Sequence, residues 1–237
     1  AGPPPYSMQD VAGRFDYDGQ RHLLELERAR VEGGEYRPRA AITAHAPLTL
    51  DLALAGALSA PVPGADRAVP LSLQASLRGP LTELRARLDL RAQPGSDTPA
   101  VPALPPLGGA DTTPAASTAP SGTDTTSATD ADLPEAHARA RITPWAAQPL
   151  PEAQARLRAL DVGALWAEAP HTHLSGQFEL QPLPPGGTPG WRVEADLTNR
   201  AAGPWDQRRL PLDSLVADLR WQDRVATVRA LKAQAGG

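Results

Sequence analysis

Apolar and polar residues alternate along much of this chain, in stretches such as LTLDLALAGAL at 48–58 and VPLSLQASLRG at 69–79. A β-strand points successive side chains to opposite faces, so alternation of this kind predicts strands with one apolar and one polar face. Several stretches are interrupted by a single Gly. The pattern therefore predicts an all-β protein whose chemistry lies on a surface rather than in a catalytic cluster.

Twelve strands are predicted by this alternation. They fall near 11–17, 21–31, 36–46, 48–58, 69–78, 82–92, 136–143, 151–160, 173–182, 190–199, 212–221 and 223–232. Aromatic residues make up only 4% of the chain, and aromatics usually supply the largest single burials of a compact core. Leu, Val and Ala must supply the burial instead, which favours a long, one-sided, curved sheet over a thick globule.

Two segments allow a helical interpretation. Residues 20–34 are rich in Leu, Glu and Arg, which favour helix, but the alternation of leucine with glutamate there favours a strand. The segment 160–170 predicts a short helical turn near 161–168, with Asp161 as its N-cap and Pro170 as its end.

A compositional break divides the chain into 1–92 and 135–237. Residues 93–134 consist almost entirely of Pro, Gly, Ser, Thr, Ala and Asp, with scattered apolar residues. Such a segment cannot bury enough apolar surface to offset the entropy of ordering, so we expect a disordered insert within one elongated sheet. The alternative for this segment is a glycosylated stalk or a ligand for a groove-binding domain.

Composition excludes several classes of protein. The 237 residues carry 23 basic and 27 acidic side chains, without the basic excess of a nucleic-acid binder. Cysteine is absent, which rules out a disulfide framework and thiolate metal sites. No apolar run is long enough for a membrane-spanning helix, and the first residues lack the pattern of a signal peptide. The chain does not begin with Met, and we expect it to be a piece of a longer protein.

Few residues suggest local chemistry. His171 and His173 stand two apart and would share a face of a strand, but no third metal ligand is evident and Glu168 precedes a proline. We expect a solvated loop there and no metal. Arg139 and Arg141 predict a solvated face of their strand, with contact to a phospholipid or lipopolysaccharide head group as the alternative. No motif of a phosphate loop, nucleophile elbow or zinc protease is present, so no catalytic residue, cofactor or enzymatic activity is expected.

Three phrases in order resemble the C-terminal part of the TamB family, the AsmA-like translocation and assembly module proteins of Gram-negative bacteria. They are SLRGPLTELRARLDL at 76–90, LDVGALWAEAPHTHLSGQFEL at 160–180 and NRAAGPWDQRRLPLDSLVADLRW at 199–221. The long insert and the polar run at Arg208 and Arg209 depart from that pattern.

This resemblance implies a segment of a protein that is anchored in the inner membrane and crosses the periplasm as a β-taco, a long folded sheet with an open hydrophobic groove. The family belongs to the bridge-like lipid transfer group and partners an outer-membrane barrel protein of the Omp85 type. Phospholipid transport, assembly or secretion of outer-membrane proteins, and outer-membrane biogenesis more broadly are the implied functions.

The alternation itself names candidate residues for an apolar groove. They are Leu48, Leu50, Leu52, Leu54, Leu71, Leu73, Leu77, Leu84, Leu88, Leu90, Leu174, Phe178, Leu180, Val193 and Leu197. If these side chains line an open trough, acyl chains would bind there, because each buried methylene contributes about 0.8 kcal/mol. The alternatives are a scaffold whose free strand edges template client barrel proteins, and a closed β-sandwich of an adhesin or a carbohydrate-binding protein.

Overall fold

The structure is a computed structural model. It describes residues 8–31, 34–60, 68–93, 99–104, 107, 133–166, 168–184 and 187–235. Twelve strands and two short helical turns make up its regular structure. The strands are β1 Met8–Tyr17, β2 Arg21–Val31, β3 Gly34–Thr43, β4 Thr49–Ala60, β5 Val69–Pro80, β6 Leu84–Ala92, β7 Glu135–Ile142, β8 Glu152–Leu160, β9 Leu174–Pro182, β10 Gly190–Asn199, β11 Ser214–Gln222 and β12 Val225–Gln234. The helix α1 spans Val162–Leu165, and a 3-10 turn spans Trp205–Gln207.

All twelve strands form one antiparallel sheet in which each strand pairs with its neighbours in sequence. The order runs from β1 to β12 without a crossover, and the sheet is curved and does not close on itself. The predicted all-β class and the long one-sided sheet are confirmed. A second sheet, which a β-sandwich would need, does not occur in the described part of the chain.

Alternation prevails over helix propensity in the ambiguous segment 20–34. Residues Arg21–Val31 form β2, and Leu24 lies directly across from Phe15 on β1 and Ala40 on β3. Each strand gains a ladder of backbone hydrogen bonds and a row of apolar neighbours from this pairing, whereas an isolated helix of this length would be marginal.

The single glycines allow close approach of neighbouring strands. Gly176 has φ +137°, and a Cβ placed there would lie 2.0 Å from the carbonyl oxygen of Asp196 on the next strand. Gly79 has φ +129°, and its Cβ would lie 2.4 Å from the carbonyl oxygen of Glu83. Only glycine fits at these positions, because an L side chain would meet both the backbone strain and the neighbouring chain.

The predicted helical turn is present but shorter than expected. Asp161 caps α1 by accepting a hydrogen bond from the Gly163 backbone N–H at 3.0 Å. The helix ends at Leu165, because Trp166 already has extended backbone angles. Pro170 therefore lies beyond the helix and does not end it.

The strands on either side of the predicted insert, β6 and β7, are neighbours in the sheet. Their pairing begins with Leu84 across from Ile142 and ends with Arg91 across from Glu135. Within 93–134, residues 94–98, 105–106 and 108–132 lie outside the described residues. The prediction of a disordered insert therefore falls mostly on residues that the structure does not describe. The described stretch 99–104 contacts the sheet: the Gln93 side chain bonds the backbone of Ala100, and the Gln74 amide donates to the Ala103 carbonyl at 3.3 Å.

Candidate functional site

One side of the sheet, called here the apolar face, carries apolar side chains from β1 to β12. Its continuity follows from the strand register: Leu52 lies across from Ala40 and Leu77, and Leu77 lies across from Ala86. The same face continues on later strands. Residues aligned across these strands include Leu88, Ala138, Ala155, Phe178, Ala195, Ala217 and Leu231.

No second layer of described residues covers much of the apolar face. Each strand contacts mainly its immediate neighbours in the sheet. Phe15 and Leu24, near one edge of the sheet, are 65% and 45% exposed. Leu231 near the other edge is 56% exposed. Exposed apolar surface of this kind is typical of sites that bind a protein, a membrane or an apolar ligand.

One end of the apolar face is sealed by protein. Leu71, Leu90, Ala136 and Leu160 form a buried cluster with Ala60, and Ala164 of α1 packs against it. These residues come from β4 to β8, at the end of the sheet where α1 folds back over the strands. The apolar face is therefore closed at this end, whereas many of its side chains elsewhere are partly or fully exposed.

A polar network fixes the segment that seals this end. The Asp161 carboxylate, 5% exposed, accepts hydrogen bonds from the backbone N–H of Gly163 and of Thr172 and lies 2.9 Å from His171 Nδ1. The backbone N–H of His173 donates to Asn199 Oδ1 at 2.8 Å. This network satisfies polar groups that would otherwise be costly to bury.

The predicted solvated loop at the histidines is wrong for His173 but not for His171, whose side chain is 44% exposed. Thr172 and His173 are buried, because Asp161 and Asn199 supply hydrogen-bond partners inside the protein. No cluster of three or more potential metal ligands occurs among the described residues.

The predicted groove residues fall into two groups. Leu71, Leu84 and Leu90 are buried, and Leu71 and Leu90 belong to the sealed cluster. The others are half-buried or exposed. Among them, Leu48 is exposed and lies just before β4, not within it as predicted. The accessible members are Leu48, Leu50, Leu52, Leu54, Leu73, Leu77, Leu88, Leu174, Phe178, Leu180, Val193 and Leu197.

A small apolar hollow lies on this face near the end opposite the sealed cluster. It has a volume of about 270 Å³, and Leu180, Trp191, Val193, Leu219 and Trp221 line it. Trp191 and Trp221 are direct neighbours across β10 and β11. The Trp191 indole N–H donates to the Leu150 carbonyl at 2.7 Å, which fixes the ring at the edge of the hollow.

The other side of the sheet, called here the polar face, carries ion pairs between neighbouring strands. Glu25 on β2 bonds Arg14 on β1 at 2.7 Å and Arg39 on β3 at 3.1 Å. The hydrogen bond from Arg14 and the charge of Arg39 lower the pKa of the Glu25 carboxyl. These pairs connect adjacent strands but are solvent-exposed, so each contributes little to stability.

A cleft of about 780 Å³ lies on the polar face across β6–β11. Arg139 is one of its lining residues and lies directly across from Arg87. Sequence analysis predicted a solvated arginine face on β7 but missed this cleft, because β6 and β7 are separated in sequence by the long insert. Only their register reveals which charges face one another. Arg141, also on the polar face, lies across from Arg85 and outside the lining of the cleft.

Among the residues that the structure describes, neither short helix is long and apolar enough to span a bilayer. Comparison of the chain with models of known protein families, with curated proteins and with solved structures finds no match.

Proposed function

We propose that this chain is a segment of a periplasmic, inner-membrane-anchored TamB-like protein and carries phospholipid along the apolar face of its sheet. The observation that carries the proposal is the apolar face itself, which continues across twelve strands and is exposed over much of its area. An ordinary globular domain would bury such a face against a second layer. An acyl chain can supply the missing contacts.

The exposed and half-buried apolar side chains of this face suit a mobile lipid. Phe178 and Leu88 lie in one register row, and Leu88 is 36% exposed. Each methylene buried against such a row contributes about 0.8 kcal/mol, so a long acyl chain is retained by many small contacts. Because no single contact dominates, the chain can slide between rows. The sealed cluster around Leu71 limits this sliding to the remainder of the face.

The test is a photo-crosslinking experiment on the chain purified from Gram-negative cells. A photoreactive residue at Leu52 or at Phe178 should crosslink phospholipid, because both positions lie on the apolar face. The same probe at Thr198, an exposed position on the polar face of β10, should not. Equal crosslinking at all three positions, or none on the apolar face, would refute the proposal.

A matched pair of substitutions separates lipid binding from folding. Leu88→Arg places a charge on the exposed apolar row and should remove most co-purifying phospholipid, while far-UV circular dichroism stays unchanged. Thr198→Arg adds the same charge on the polar face and should leave the lipid content unaltered. Loss of folded structure in Leu88→Arg would indicate that this row belongs to a closed core.

A second candidate function is templating of outer-membrane barrel strands, and one observation favours it. All ten residues of β12 are exposed, and among the described strands β12 pairs only with β11. Its outer edge therefore presents unpaired backbone groups to an incoming strand. Probes at Thr227 should then crosslink barrel-protein clients or an Omp85-type partner, and Leu88→Arg should not reduce that crosslinking.

A further inference from the structure

The polar-face cleft lies on the opposite side of the sheet from the side chains proposed to carry lipid, and the residues between its two polar rows, Leu88 and Phe178 among them, also line it. Its volume of about 780 Å³ lies within the range of small-ligand sites, roughly 300–1,000 Å³. Side chains of β6–β8 line one bank, and side chains of β9–β11 line the other. The two banks carry opposite charge.

The cationic bank contains Arg139 on β7 and Arg156 on β8. Arg139 lies directly across from Arg87, and like charges in this position destabilise a sheet. Within the described ranges, the side chains of Arg139 and Arg156 form no hydrogen bond or ion pair, although both backbones are paired in the sheet. By contrast, Arg158, two residues further along β8, pairs with Glu135.

The nearest carboxylates on this bank are already engaged. Asp89 lies 2.6 Å from His137 Nδ1, and Glu135 lies 2.8 Å from the other ring nitrogen of the same histidine. These groups therefore bond one another and leave the two arginines of the bank available.

The acidic bank contains three carboxylates in one register row. Glu179 lies across from Glu194, and Glu194 lies across from Asp218. Arg192 pairs with Asp218 and Glu194 at 2.9 and 2.8 Å, and it is the only cation among the residues that line this bank. Asp196, which also lines the cleft, has no ion-pair partner in the described part of the chain.

Two amide side chains lie between the banks. Gln154 separates Arg139 from Glu179 in one register row, and Gln177 separates Arg156 from Asp196 in the next. From β7 to β9 is two strand spacings, roughly 10 Å. An extended peptide advances about 3.3–3.6 Å per residue, so about three residues span that distance.

We propose that the cleft binds a short extended peptide with free termini. Its carboxylate lies over Arg139 and Arg156, its ammonium group lies over Glu179 and Glu194, and its amides bond Gln154 and Gln177. Such a ligand relieves the like-charge crowding on both banks at once. A purely anionic or cationic ligand would relieve one bank only.

The probe is trialanine, compared with its N-acetylated and its C-amidated forms, with binding to the wild-type chain followed by NMR. The free peptide should shift amide signals of residues around Gln154 and Gln177. Blocking either terminus should weaken binding by up to about fivefold, the upper limit expected for one exposed charge pair. Higher salt should reduce the difference between the three peptides.

Variants assign each terminus to its bank. Arg139→Gln should discriminate less between free and C-amidated trialanine than wild type, because only Arg156 of the proposed pair remains, and should still discriminate fully against the N-acetylated form. Glu179→Gln should discriminate less between free and N-acetylated trialanine than wild type, because only Glu194 of the proposed pair remains, and should still discriminate fully against the C-amidated form. Arg158→Gln is the matched control and should behave as wild type. Equal binding of all three peptides by wild type, or no shifts near the cleft at millimolar peptide, would overturn the proposal without requiring any variant to fold.

Discussion

Asp161 and Thr172 hold the sealed end of the sheet together through a buried hydrogen bond. The Thr172 backbone N–H donates to the Asp161 carboxylate at 2.9 Å, and the Thr172 hydroxyl bonds the backbone on both sides of Asp161, at Leu160 and Val162. Thr172 is 1% exposed. The pair therefore links the start of α1 to the chain that enters β9.

Replacing Asp161 with Ala should destabilise the protein by about 2–3 kcal/mol. The change removes the cap of α1 and leaves the Thr172 backbone N–H buried without its acceptor. Chemical denaturation measures the loss. Asp206→Ala, in the exposed 3-10 turn, is the control and should change stability by less than about 0.5 kcal/mol. Similar effects of the two substitutions would show that the network contributes no stability.

Gly176→Ala should destabilise the sheet by at least about 2 kcal/mol. The new Cβ would lie 2.0 Å from the Asp196 carbonyl oxygen, and the backbone angle is unfavourable for alanine. Gly187→Ala is the comparison, because its Cβ would come no closer than 3.7 Å to another group. Thermal unfolding of the two variants should separate them by several degrees, and equal melting temperatures would contradict the described strand approach.

Leu71→Ala should lower the free energy of unfolding more than Leu24→Ala, although both substitutions remove the same atoms from the apolar face. Leu71 is 1% exposed within the sealed cluster, so its truncation should cost about 2–5 kcal/mol. Leu24 is 45% exposed and should cost less than about 1 kcal/mol. Urea denaturation checks both values. A large loss for Leu24→Ala would mean that the exposed part of the face is covered in solution.

Arg192→Gln should raise the pKa of Asp218. The hydrogen bond from Arg192, helped by its charge, holds that pKa below the usual value, so the ionised carboxylate is favoured in the folded chain. A lowered folded pKa stabilises the protein above the unfolded value near 4, and this stabilisation is lost as pH falls through the folded value.

Carboxyl-carbon NMR titration measures that change directly. Asp218 should titrate at higher pH in Arg192→Gln than in wild type. Glu25 is the internal reference, because its lowered pKa depends first on Arg14, on a distant strand. A titration of Asp218 that does not move would show that the pairing is absent in solution.

Several features of the fold were predictable because they depend on local pattern. The alternation around Leu24 predicted β2 against the helix propensity of the same residues, and Asp161 predicted the start of α1. The end of α1 was not predictable. The chain leaves the helix at Trp166, so that Thr172 reaches Asp161, and not at Pro170. The buried state of His173 depends on Asn199, a partner 26 residues away.

The sequence alone determined that this chain forms strands with one apolar and one polar face, since side-chain alternation is a property of each strand by itself. Only the tertiary structure decided that the apolar face is sealed around Leu71 and open at Leu88, and that Arg139 faces Arg87 across a cleft. The reason is that sealing and charge pairing depend on register between strands and on how the sheet curves. Neither is encoded within a single strand.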